Sequence, residues 1–109
     1  MKFRFKLLWS LLAGLPVAAG AGASGSAIIT EIIVDPTDGV IGIEGAWADT
    51  QHCARYDIAI IRMSDTNYKD ELAAALTAFA SGRTANFQYS GCINSPWGEE
   101  PLVAWMNIN

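Results

Sequence analysis

Residues 1–23 decide how much of this chain is left to fold. Lys2, Arg4 and Lys6 form a basic head, Leu7 to Val17 an apolar middle, and Ala21-Gly22-Ala23 a small-residue cleavage motif, the three-part pattern of a secretory signal peptide. The apolar run, about a dozen residues broken by Gly14 and Pro16, is short of the ~20 that span a bilayer. A cut after Ala23 is expected, with Ala19 and Ala21 also meeting the small-x-small rule, and residues 24–109 then form one secreted or periplasmic domain with no membrane insertion.

A domain of about 86 residues builds only a small core, and a covalent staple helps it. Cys53 and Cys92 are the two cysteines of the chain, and in an oxidising compartment one intramolecular disulfide is their simplest pairing. Their spacing is nothing like the close Cys-x-x-Cys pair of a redox site.

Loss of the leader removes three of the seven basic residues and none of the eleven acidic ones, leaving a net charge of about −7. Such a surface repels phosphate backbones, so nucleic acid is not an expected partner. The acidity is read first as solubility and second as complementarity to a cationic target.

Ala27 to Val34 is rich in β-branched residues and ends at the turn cluster Asp35-Pro36-Thr37-Asp38-Gly39, which predicts a strand entering a hairpin. A second strand runs from Val40 to about Trp47, with Gly42 and Gly45 marking a bulge, a bend or a close backbone approach. A third spans about Arg55 to Met63. Candidate N-caps at Ser64 to Asn67, with Asp70 and Glu71 in the first turn, open a helix that Gly82 closes. Its buried stripe is predicted to be Tyr68, Leu72, Ala75, Leu76 and Phe79. Thr84 to Tyr89 alternates as a half-buried strand, Gly91 to Glu100 reads as a loop, and Leu102 to Ile108 forms the last strand. The order β-β-β-α-β-β is that of an OB-fold-like five-stranded barrel, mainly β with one helix, with an open sheet under one helix as the alternative.

Tyr68-Lys69-Asp70-Glu71-Leu72 through Phe79-Ala80-Ser81-Gly82-Arg83-Thr84-Ala85-Asn86-Phe87 resembles a group of small exported bacterial proteins of unassigned function, in which an alanine-rich helix ends in Ser-Gly-basic and an alternating strand leads to a cysteine. The wording is also similar to that of the pentameric B subunits of subtilase- and pertussis-type toxins, glycan-binding OB-fold domains. The resemblance covers roughly a third of the chain, and it implies the fold and a Gram-negative bacterial origin. No sugar-binding motif of those proteins is found in the first strands, and no binding residue carries over.

Chemistry-bearing residues are few. His52 is the one histidine and sits beside Cys53, so no second His or free thiol completes a zinc site. Asp70-Glu71 and Glu99-Glu100 are paired carboxylates, read as capping and solvation before glycoside hydrolysis. No phosphate loop, nucleophile elbow or cofactor motif is present, and neither catalysis, metal nor cofactor is expected. Trp97, among turn-forming residues, is the leading ligand contact, with Asn94, Glu99 and Glu100 as polar companions and Trp47 and His52 on the facing loop. Trp97 packing back over the barrel mouth, and Trp47 serving as core, stand as the structural alternatives. Trp105 reads as packing, or as subunit contact in a homo-oligomer. The expected function is that of a small binding module for a glycan or protein partner, with an enzyme inhibitor as the alternative.

Overall fold

The computed structural model describes residues 21–109; the basic head and apolar middle of the expected leader lie outside the described residues. The elements are β1 (Ala21–Ala23), β2 (Ala27–Asp35), β3 (Val40–Gly45), β4 (Ile58–Arg62), α1 (Tyr68–Ser81), β5 (Thr84–Ser95) and β6 (Gly98–Ile108). Strands β2, β3, β4, β6 and β5 pair in that order, and β5 returns to β2, closing a ring of five strands. All ring pairings are antiparallel except β4 with β6, which meet in parallel at Ile60 and Leu102. The expected β-β-β-α-β-β order thus describes the ring, and the closed pairing excludes the open-sheet alternative.

Period-two alternation sorts the side chains. Ile41 and Ile43 of β3, Ala59 and Ile61 of β4, and Ala85, Phe87 and Tyr89 of β5 point into the ring and form its core with Ile29 and Trp47. The outward set Val40, Ile58 and Ile60 is also buried, because Ile93 and Trp97 cover it from outside as a second, smaller cluster. Both glycines of β3 seat a tryptophan ring. A Cβ on Gly42 would stand 2.9 Å from Trp97 on the outer face, and one on Gly45 would stand 2.7 Å from Trp47 on the inner face.

Ahead of the ring, β1 pairs with β5 through Ala21↔Ser90, Gly22↔Tyr89 and Ala23↔Gln88, and Ser24 is buried. Two expectations are corrected. The segment Gly91 to Glu100 is not a loop, because β5 and β6 run on as a two-stranded arm with Ser95 opposite Gly98 and only Pro96 and Trp97 at the turn. Gly91 is absorbed by a register shift between Tyr89 and Cys92.

The helical stripe is the second. The helix has the expected bounds, and Gly82 closes it in the left-handed conformation, its N–H donating to Ala78 O. Its buried residues, however, are Ala75 and Ala78, flanked by the partly buried Tyr68 and Leu72, while Leu76 and Phe79 are each nearly half exposed. Small side chains at the contact let the helix backbone lie close to the ring, and this turns the two larger residues toward solvent. Overpacking at Ala75→Leu should therefore cost ~1–3 kcal/mol, whereas Leu76→Ala should cost about 1 kcal/mol or less. Urea midpoints of the two variants check the assignment of the face.

A candidate binding surface at the arm tip

The tip is held by the loop between β3 and β4, through bonds that no local pattern encodes. Cys53 and Cys92 are joined in a disulfide with Cα atoms 5.8 Å apart, as expected, fixing the loop to the base of the arm. Gly91 N–H donates to Gln51 Oε1 at 2.9 Å. Further out, Ala54 N–H donates to Glu99 Oε1 at 2.9 Å and Arg55 N–H to Glu99 O at 2.9 Å. The Arg55 guanidinium donates from Nη1 to Trp97 O at 3.0 Å and pairs with Asp57 at 2.8 Å. Within the turn, Ser95 Oγ accepts from Trp97 N–H at 3.2 Å and donates to Gly98 O at 2.8 Å. Gly98 takes φ +125°, a conformation that favours glycine, and its bare Cα faces the Arg55 stem.

Trp97 is thereby fixed with one part of its ring on Gly42 and the outer cluster and the rest accessible. Asn94 is exposed beside it on the arm, opposite Glu99, whose carboxylate is occupied by the loop. His52 is exposed near the disulfide, and it is the one non-glycine residue with positive φ (56°) among the described residues, its N–H donating to Asp49 Oδ1 at 3.1 Å.

Two of the sequence-derived candidates are out of a ligand's reach. Trp47 is core: it is 3% exposed, donates from Nε1 to Ile43 O at 2.9 Å and meets Phe87 edge-to-face with ring centroids 4.8 Å apart. Glu100 is fully buried, and neither carboxylate oxygen has a hydrogen-bond partner. Its nearest cation, Arg55 Nε, stands 3.8 Å away and is already committed to Asp57. Desolvation, followed by the charge of Asp57, pushes the Glu100 carboxyl up to about 7, against the smaller opposing pull of Arg55. On the ring face nearby, Glu44 lies above its ordinary range because it shares a hydrogen bond with Glu31 across β2 and β3.

A second concave surface was not legible as a site. Two adjoining hollows of about 370 and 390 Å³ lie between the start of α1 and β6 and share Asn67, Glu71 and Ala104. Trp105, 56% exposed, lines the second with Asp70 and Met106. Trp105 is turned outward because the β5–β6 register shifts between Gln88 and Tyr89, so Val103 and Met106, rather than alternate residues throughout, face the core. Desolvation and the charge of Asp65 raise the Glu71 carboxyl.

No family model, curated protein or solved structure matches this chain. Among the described residues, no helix is long and apolar enough to cross a membrane.

Proposed function

We propose that the domain is a secreted or periplasmic binding module that recognises a glycan or a protein through the tip of the β5–β6 arm, with no catalytic step of its own. The observation that carries this reading is the restraint on Trp97: its ring rests on Gly42, its carbonyl is held by Arg55 and its N–H by Ser95. An aromatic surface ordered before binding loses little conformational entropy when a partner arrives. Asn94 adds an exposed polar group on the arm beside Trp97, and His52 another near the disulfide at the base of the arm.

The ring order, with its parallel closure between β4 and β6 and the helix placed between β4 and β5, supports an OB-fold-like reading. In such rings the face of the second and third strands and the turns beside it carry ligands. Here that face is β3 and β4, and Trp97 lies on it. The ground for relating the chain to toxin B subunits is the helix-to-strand wording from Tyr68 to Phe87, and glycans are the ligand class that resemblance favours.

The exposure of Trp105 favours a second reading, in which the partner sits in the groove beside α1. A glycan array probed with the wild-type domain, Trp97→Ala and Trp105→Ala separates the two. The arm-tip reading expects binding to fall at least tenfold in Trp97→Ala and to survive in Trp105→Ala. The reverse order would move the site to the groove, and no glycan bound by any form would leave a protein partner as the class to pursue. Trp97→Ala should also lower stability by about 2 kcal/mol, because part of the ring is buried, so binding is compared well below the melting midpoint.

A further inference from the structure

We infer that removal of the leader spares β1, with the cut after Ala19, so that the mature chain begins at Gly20; the placement rests on the reading of residues 1–23 as a secretory leader. The residue pairs that suit the two sites of the motif are Val17 with Ala19, Ala18 with Gly20, Ala19 with Ala21, Gly20 with Gly22, and Ala21 with Ala23. The folded domain distinguishes among them. A cut after Ala23 would make Ser24 the first residue and turn its backbone nitrogen into a charged ammonium.

That nitrogen is in no position to be charged. Ser24 is 1% exposed, its N–H donates to Phe87 O at 2.8 Å, its Oγ accepts from Phe87 N–H at 2.8 Å, and its carbonyl accepts from Ala48 N–H at 2.7 Å. An ammonium buried there without an anionic partner carries a heavy desolvation cost. The same cut would strip β1 from the edge of β5 at Tyr89, and with it the bond from Thr50 Oγ1 to Ala23 O at 3.2 Å. A cut after Ala21 falls inside β1 and breaks its pairing with Ser90. A cut after Gly22 also falls inside β1, whereas cuts after Ala19 and Gly20 leave all three strand residues on the domain; of these two, only the cut after Ala19 keeps a residue ahead of Ala21, so that the Ala21 nitrogen stays an amide.

Gly22 records how closely β1 is seated. A Cβ there would stand 2.8 Å from both Thr50 Oγ1 and Gln51 Nε2, so the strand passes against the β3–β4 loop with no space for a side chain. The loop that holds the arm tip is thus also held by β1, through Thr50 and Gln51.

Intact-mass measurement and N-terminal sequencing of the protein recovered from the periplasm of a Gram-negative host test the placement. A chain beginning at Gly20 is the expected result, and one beginning at Ala21 or any later residue overturns it. Full-length chain retained in the cytoplasm would overturn the leader reading and this placement together, while leaving the arm-tip reading to its own binding test. Gly22→Val in the full-length chain supplies the structural control: cleavage after Ala19 should persist, and the melting midpoint of the exported product should fall by about 5 °C or more. An unchanged midpoint would show that β1 is not seated against the loop, and the reason for sparing it would be lost.

Discussion

Replacing Cys53 and Cys92 together by alanine is expected to lower the stability of the domain by about 4 kcal/mol. The bond closes a loop between residues 39 apart, and opening it restores that much chain entropy to the unfolded state. Domains of this size are stable by only about 5–10 kcal/mol, so the double variant should keep about 1–6 kcal/mol and unfold at a clearly lower urea concentration. The effect should not be uniform over the structure. The disulfide ties the β3–β4 loop to the base of the arm, and the bonds further out, from Ala54 and Arg55 to Glu99, depend on that registration. Urea unfolding of the oxidised protein and of the double variant checks the figure. A loss under about 1 kcal/mol would mean that the remaining hydrogen bonds hold the arm without the staple.

The second large effect concerns Glu100. Its carboxyl is raised in the folded protein to about 7, from 4.5 when solvated, so between those values the native state holds a proton that the unfolded state has released. Stability therefore falls as pH rises from about 4.5 through 7, by up to about 3 kcal/mol, and the loss is complete above that range. Glu100→Gln keeps the shape and removes the buried charge. The variant should match the wild type near pH 4.5, exceed it by about 2–3 kcal/mol at pH 8.5, and show a flatter profile between. Urea midpoints across that range provide the measurement. A variant less stable than the wild type at pH 8.5 would show that Arg55, 3.8 Å away, compensates the carboxylate in full.

The features legible in the sequence are those set by local periodicity and turn chemistry. Alternation marked Ala85, Phe87 and Tyr89 as an inward row, the cluster at Asp35 to Gly39 marked the first hairpin, and Gly82 marked the end of the helix. The arm was hidden because Gly91, Asn94, Pro96 and Gly98 all favour turns, whereas the strand there is imposed by β5 pairing with β6 and by the disulfide. Strand β1 was hidden for a related reason: Ala-Gly-Ala carries no β-branched residue and reads as a cleavage motif. The helical face is not legible from periodicity alone, because Leu76 and Phe79 extend the apolar stripe past the alanines that close approach to the ring requires. Glu100 looked like a surface carboxylate beside Glu99, and only the folding of Arg55 and the β3–β4 loop over the arm buries it. Gly42 and Gly45 did carry a signal of close approach, met by two tryptophan rings and, at Gly45, also by the Ile28 carbonyl.

The central claim is that the arm tip is ordered before any partner binds. Native-state hydrogen exchange of the ligand-free, oxidised protein tests it at single amides. Ala54 and Arg55, bonded to Glu99, and Gly91, bonded to Gln51, should exchange far more slowly than open loop amides. On reduction of Cys53 and Cys92 their protection should drop well before that of Ile43 and Ile60 in the ring. Exchange of Ala54 and Arg55 at unprotected rates in the oxidised protein would contradict the claim, because Trp97 would then be carried on a tip that orders only when bound.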